Sequence, residues 1–265
     1  MHVPSIALFG GLALSAMASP LPDSASSAGF DAVSDVSDVE KRATTCVPAV
    51  VFAVRGSDDQ QTTPGYNPRY SELPSGMTAA ANAVISKNGG QSSTGLRPLN
   101  YTAISATQTN LANGWYQQSV NGGIGALQQV IVDYVNQCPT GKIFVMGYSQ
   151  GAQVTSSALA GSPAFAPLKA KGRLTAGVIY ADPTYIDGLS PIDQGSGANN
   201  GRNGRAAGDG DKQRFLNANF AGRVQTYCQA GDEFCDSGDE APPYPIHGNS
   251  PEYFQQQATA FLTSK

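Results

Sequence analysis

Three stretches of the chain are apolar without interruption, at residues 49–54, 143–146 and 176–180. Continuous runs of this length, rather than an alternation of apolar and polar positions, suit strands covered on both faces. Between and after them the period becomes that of a helix. Residues 77–87 are alanine-rich and close at Asn88-Gly89-Gly90, while Ile124, Leu127, Ile131 and Tyr134 recur three and four residues apart before Cys138-Pro139 ends the segment. A last helix is predicted with Ser250 as N-cap and Pro251 at the first helical position, its buried stripe being Phe254, Ala258, Phe261 and Leu262. Strands alternating with helices imply an α/β fold with a mostly parallel central sheet, and such a sheet carries its site at the carboxyl ends of its strands.

The beginning of the chain follows other rules. A short apolar stretch at residues 6–14 precedes Ala16-Met17-Ala18, a small-x-small cleavage pattern, so 1–18 is expected to be a secretory signal peptide. The stretch is too short for a transmembrane helix, and no integral membrane segment is expected. Residues 19–42 are rich in Ser, Ala, Asp and Val and end at Lys41-Arg42, the pattern of a disordered pro-segment cut after a dibasic pair. What remains, 43–265, is 223 residues long and suits one domain with a substantial core. It carries fourteen basic and fifteen acidic residues, a net charge of about −1. That balance points to neither nucleic acid nor an anionic membrane as partner.

All four cysteines, Cys46, Cys138, Cys228 and Cys235, lie in this part, an even number in a chain expected to be exported. Three connectivities are possible. Cys228 with Cys235 and Cys46 with Cys138 is favoured, because seven residues close a local loop and the other pair flanks the first strand and the end of a helix. A zinc site is a poor rival, as there is no Cys-x-x-Cys and only one spare histidine.

The stretch Gly147-Tyr148-Ser149-Gln150-Gly151 joins the second apolar run to a small-residue helical pattern, the strand-turn-helix setting in which G-x-S-x-G forms a nucleophile elbow. Glycines flank the serine because a Cβ at either position would crowd strand and helix. A serine hydroxyl needs a base, and His2 and His247 are the only histidines, His2 lying in the expected leader. His247 is therefore the candidate base. The ring needs a carboxylate to orient it. Asp232, inside the Cys228–Cys235 loop, is favoured over Asp182, which follows the third apolar run, because a clamped loop restricts the orienting group. The order Ser149, Asp232, His247 is that of the α/β-hydrolases. For the oxyanion, the amide of Gln150 supplies one donor and Ser57, in Arg55-Gly56-Ser57 after the first strand, a second.

Gly-Tyr-Ser-Gln-Gly-Ala at 147–152, Arg-Gly-Ser at 55–57, the Cys-x-x-Gly-Asp-x-x-Cys loop at 228–235 and His247 together resemble the cutinase and acetylxylan esterase family of small secreted fungal serine esterases. The resemblance covers most of 46–265. It implies a three-layer α/β-hydrolase fold, the triad Ser149, Asp232 and His247, an oxyanion hole from Ser57 and Gln150, and the same two disulfides. Thr63-Pro64-Gly65-Tyr66, Ala181-Asp182-Pro183 and the closing run 248–264 read more like the acetylxylan esterase branch. Four cysteines are fewer than that branch usually carries, and the stretch 195–211, with Arg202 and Arg205 among many Gly and Asn, fits neither branch.

The resulting expectation is a secreted, monomeric serine carboxylic-ester hydrolase acting through an acyl-enzyme on plant cell-wall or cuticle esters, acetylxylan or short acyl esters foremost, with no cofactor and no metal. Two rivals stand beside it: a cutinase or lipase for longer aliphatic esters, and a non-catalytic secreted binding protein on the same fold. Asn100-Tyr101-Thr102 is a glycosylation acceptor sequence.

Overall fold

Ala49–Val54 (β1), Thr94–Pro98 (β2), Lys142–Tyr148 (β3), Leu174–Tyr180 (β4) and Val224–Tyr227 (β5) form one sheet of order β2-β1-β3-β4-β5, every neighbouring pair parallel. The computed structural model describes residues 46–57, 73–90, 94–188, 192–199, 201, 209–239 and 244–265, all within one compact unit, Arg42–Lys265. The expected leader and pro-segment lie outside the described residues, as do Thr63–Tyr66, Arg202 and Arg205.

Helices α1 (Ser75–Lys87), α2 (Gln108–Ala112), α3 (Trp115–Gln137), α4 (Gln150–Ala160), α5 (Asp209–Phe220), α6 (Pro245–Gly248), α7 (Ser250–Tyr253) and α8 (Gln255–Thr263) complete the fold. β1 shows why its sequence is apolar throughout. Val50, Phe52 and Val54 pack with Ile124, Leu127 and Ile131 of α3 and with Val154 and Ala158 of α4. Ala49, Val51 and Ala53 pack on the opposite face, with Met77, Ala80 and Val84 of α1 and Ala258 and Leu262 of α8. Each fully buried aliphatic or aromatic side chain contributes roughly 1.5–3 kcal/mol. The sheet is thus the middle of three layers.

The helix ends depart from the sequence reading in one place. Ser250 is the first residue of α7 rather than its cap, and its Oγ is buried without a hydrogen-bond partner. Asn249 ends α6 and begins α7 at once, which leaves no extended residue for a serine cap, and Pro251 takes the second position. Phe254 then separates α7 from α8, and the buried stripe persists through Phe254, Ala258 and Leu262, with Phe261 half-buried. α7 also serves α1. Pro74 gives that helix no side-chain cap, and Glu252 Oε1 instead accepts from the Gly76 amide at 3.0 Å and from Ser75 Oγ at 2.7 Å. A carboxylate on the first turn offsets both the orphan amides and the helix dipole.

Both disulfides join the favoured partners, Cys46 with Cys138 and Cys228 with Cys235. No helix of the described residues is long and apolar enough to cross a membrane. Because the sheet is parallel, the turns after β1, β3, β4 and β5 all emerge at one edge, and the order reverses between β1 and β3. That reversal opens a crevice between the carboxyl ends of those two strands.

Candidate active site

Ser149 stands at that crevice, between the end of β3 and the start of α4, with φ 55° and ψ −122°. A non-glycine residue in this region is strained and is held only where its surroundings over-determine it. Here the Ser149 amide donates to the Tyr180 carbonyl at 3.0 Å, and its own carbonyl accepts from Ala152 and Gln153 in α4. The flanking glycines are steric requirements. A Cβ on Gly147 would lie 2.4 Å from Thr155 Oγ1, and one on Gly151 would lie 2.2 Å from the carbonyl oxygens of Val54 and Arg55. Although Ser149 occupies the cap position of α4, its hydroxyl makes no capping bond. It faces His247 instead, with Oγ 2.9 Å from Nε2.

The other ring nitrogen, Nδ1, lies 2.9 Å from Asp232 Oδ2 and 3.1 Å from Oδ1. Asp232 is fully buried, and Oδ1 also accepts from the amides of Phe234 and Cys235 at 2.8 and 3.0 Å. Those bonds come from the tight loop that the Cys228–Cys235 bridge closes after β5, so the carboxylate is fixed by its own backbone. Two rings lie close to the imidazole, Phe234 at 4.5 Å and Tyr148 at 5.4 Å between centroids. His247 itself is buried in α6.

Asp182, the rival acid, is also buried but engaged elsewhere. Its Oδ1 accepts from the Thr184 amide at 2.8 Å, and Oδ2 lies 3.6 Å from the Lys212 ammonium, which in turn donates to Thr184 Oγ1 and to Ser156 Oγ. Lys212 is on α5, so this pair ties the turn after β4 to two helices, and the structure brings Asp232 rather than Asp182 to His247.

Gln150 opens α4, so its amide is among those left without an intrahelical acceptor. Its fully buried side chain is anchored at both ends: Nε2 donates to the Ile104 carbonyl at 2.7 Å and Oε1 accepts from Ser119 Oγ at 3.0 Å. The Arg55–Ser57 turn approaches from β1. A Cβ on Gly56 would stand 3.0 Å from the Tyr148 ring and 3.1 Å from Ser149 Cβ, a tight fit that glycine relieves where the turn lies against the elbow. Ser57, exposed, follows directly.

Several supporting groups carry no local sequence signal. Arg55 is buried, with one guanidinium nitrogen 3.0 Å from the Tyr101 carbonyl, and the Tyr101 hydroxyl donates back to the Arg55 carbonyl at 2.7 Å. Tyr116 OH donates to Gln153 Oε1 at 2.9 Å. Burial pushes both phenols well above their ordinary titration range, so they stay protonated donors. These pairs are 46 and 37 residues apart in the chain, and only the packing of α3 and the 101–104 segment onto the elbow joins them. Asn100, in its acceptor sequence, is exposed just beyond β2.

A family model described as Cutinase matches residues 45–265. Acetylxylan esterase 2 of Talaromyces purpureogenus is 27% identical over 237 residues, 86% of this chain and 89% of that protein. The acetylxylan esterase of Hypocrea jecorina is 32% identical over 160 residues, 57% of this chain and 49% of that protein, so the match spans about half of that relative. Among solved structures, the catalytic core domain of acetyl xylan esterase from Trichoderma reesei superposes with a TM-score of 0.62 at 25% identity, covering 83% of this chain and 99% of that one. The family match takes in all five strands and every turn that faces the crevice, and on that extent the chain belongs to the cutinase family.

Proposed function

We propose that the protein is an exported serine esterase that cleaves short acyl esters, acetyl groups on a plant cell-wall polysaccharide foremost, through an acyl-enzyme on Ser149. The observation that carries the reading is the unbroken line from Ser149 Oγ to His247 Nε2 and, across the ring, from His247 Nδ1 to Asp232 Oδ2, both contacts 2.9 Å. In the first half-reaction Ser149 Oγ bonds to the ester carbonyl carbon while His247 Nε2 takes its proton. The amides of Ser57 and Gln150, with the Ser57 hydroxyl, hold the oxyanion. Collapse breaks the bond to the alkoxy oxygen, which leaves as the alcohol with the proton from His247. Water then loses a proton to His247, attacks the acyl carbon, and releases the carboxylic acid and free Ser149. Asp232 keeps the ring in the tautomer that presents a lone pair at Nε2 and stabilises the imidazolium.

Acetyl esters are favoured because the relative matched over 237 residues, and the solved structure that superposes with a TM-score of 0.62, bear acetylxylan esterase names. Two disulfides and the leader-like 1–18 with the dibasic end of 19–42 support export, since such bridges persist in oxidising compartments. Trapping tests the chemistry. An activated organophosphonate should block turnover and leave one covalent adduct on the peptide holding Ser149, absent in Ser149→Ala. A series of acetyl, butyryl and longer nitrophenyl esters, with release of acetate from acetylated xylan, tests the substrate. A maximum at long chains with no acetate release would move the reading to a cutinase or lipase, and no adduct with no turnover would move it to a binding protein.

A further inference from the structure

Asp236, the residue after Cys235, has its side chain in a position that the proposed triad does not use. It is buried, and its carboxylate accepts from main-chain amides of two separate segments. Oδ1 accepts from Ala198 at 2.8 Å and Asn199 at 2.7 Å, while Oδ2 accepts from Gly231 at 2.7 Å. Gly231 is the residue before Asp232, so one carboxylate links the acid loop to the chain at 198–199. The same two segments meet again nearby. The Cys228 carbonyl accepts from the amides of Ser196 and Gly197 at 2.8 and 2.9 Å, and Ser196 Oγ accepts from the Ala230 amide at 3.2 Å. Contact is so close that a Cβ on Gly195 would fall 2.4 Å from the Cys228 carbonyl oxygen.

On the basis of the triad reading above, we infer that Asp236 is a positioning residue: its carboxylate braces the Asp232 loop against residues 196–199 and thereby keeps Asp232 in register with His247. The chemistry favours this role over a general contribution to stability. A buried ionised acceptor with three amides makes short charge-assisted bonds that resist displacement. The loop it braces has Asp232 at its centre, and the Asp232 carbonyl itself accepts from the Asp236 amide at 3.0 Å and the Gly238 amide at 3.0 Å. Asp232 is thus held through its own carbonyl by the residue whose carboxylate is anchored elsewhere. The described start of the 195–211 stretch belongs to this brace.

Asp236→Asn is the test, with Asp232→Asn beside it. Asparagine keeps the shape and can still accept from Ala198 and Asn199, but its amide nitrogen then faces the Gly231 N–H, donor against donor. A shift of the acid loop by a fraction of an ångström to 1 Å should lower kcat on a soluble nitrophenyl acetate by about 10- to 100-fold with KM little changed. The low-field proton resonance of the His247 Nδ1–H should shift or broaden in the folded variant, a change that a loss of global stability alone does not produce. Wild-type kcat and an unmoved resonance in folded Asp236→Asn, with turnover collapsed in Asp232→Asn, would overturn the inference and leave the triad reading intact. Undiminished turnover in Asp232→Asn would instead overturn the triad reading. If Asp236→Asn does not fold, Ser196→Ala decides, because it removes only the bond to the Ala230 amide at the exposed edge of the same brace. A several-fold fall in kcat with a moved resonance supports the inference, and no change in either overturns it.

Discussion

The Tyr148 hydroxyl donates to the main-chain carbonyl of His247 at 3.2 Å, so the residue preceding the candidate nucleophile holds the backbone of the candidate base. The same phenol ring lies beside the imidazole, 5.4 Å between centroids. One side chain therefore couples the elbow after β3 to helix α6, 99 residues further along the chain.

Tyr148→Phe isolates that bond, because the ring stays and only the hydroxyl goes. A neutral hydrogen bond contributes about 1 kcal/mol, so kcat should fall about fivefold with KM unchanged. Steady-state kinetics on a soluble ester checks it. A rise in KM without a fall in kcat would place Tyr148 in substrate binding.

Ser149→Ala and His247→Ala should each lower kcat on the order of 10⁴- to 10⁶-fold, and the double variant should lose little more than either, because the groups act as a unit. Asp232→Asn should cost about 10⁴-fold by stabilising the wrong tautomer. Multiplying effects in the double variant, measured against the uncatalysed rate, would separate the two residues.

The sequence makes some of this site plain and hides the rest for physical reasons. Ser149 and His247 stand out because an elbow needs glycine at fixed offsets and because only one histidine lies beyond residues 1–18. β1, β3 and β4 are legible as apolar runs since both of their faces are covered. β2, Thr-Gly-Leu-Arg-Pro, and β5, Val-Gln-Thr-Tyr, are the short sheet edges, the first mostly half-buried and the second with two polar residues in the middle of its four, and neither carries a run or an alternation. The Arg55–Tyr101 clamp, the Ser119–Gln150 anchor and the Asp236 brace are illegible for a different reason. Each is a contact between a side chain and a distant segment, 31 to 46 residues away, and nothing local in the chain encodes the partner. The N-cap expected at Ser250 fails for a local reason, because Asn249 ends α6 and begins α7 at once.

Asp182→Asn should separate stability from chemistry. It leaves the buried Lys212 ammonium without its carboxylate, a loss of about 3–5 kcal/mol. Thermal unfolding should drop on the order of 10 °C, while turnover measured on the folded protein is retained. Adding Lys212→Met should restore much of the lost stability, as removal of both charges removes the penalty. A collapse of turnover in folded Asp182→Asn comparable to that in Asp232→Asn would contradict the assignment of the acid.

The two disulfides should differ in what their loss does. Cys46–Cys138 spans 92 residues and Cys228–Cys235 spans seven, and restriction of the unfolded chain makes the first contribute about 4.6 kcal/mol and the second about 2.4 kcal/mol. The long bridge ties the chain just before β1 to the end of α3, on the amino-terminal side of the strands and away from Ser149. Its replacement by serines should lower Tm by on the order of 10–15 °C and leave kcat below the transition unchanged. The short bridge closes the loop whose amides of Phe234 and Cys235 hold Asp232, and Cys235 is itself one of those donors. Without it the amides remain, but the loop that presents them gains freedom, and the carboxylate samples positions off the His247 Nδ1 axis. Replacement of Cys228 and Cys235 by serine should therefore reduce kcat at temperatures where the variant is fully folded, with the smaller fall in Tm. Kinetics and thermal unfolding on both double variants decide the matter: wild-type kcat without the short bridge would mean that the amide bonds and the Asp236 brace hold the acid by themselves.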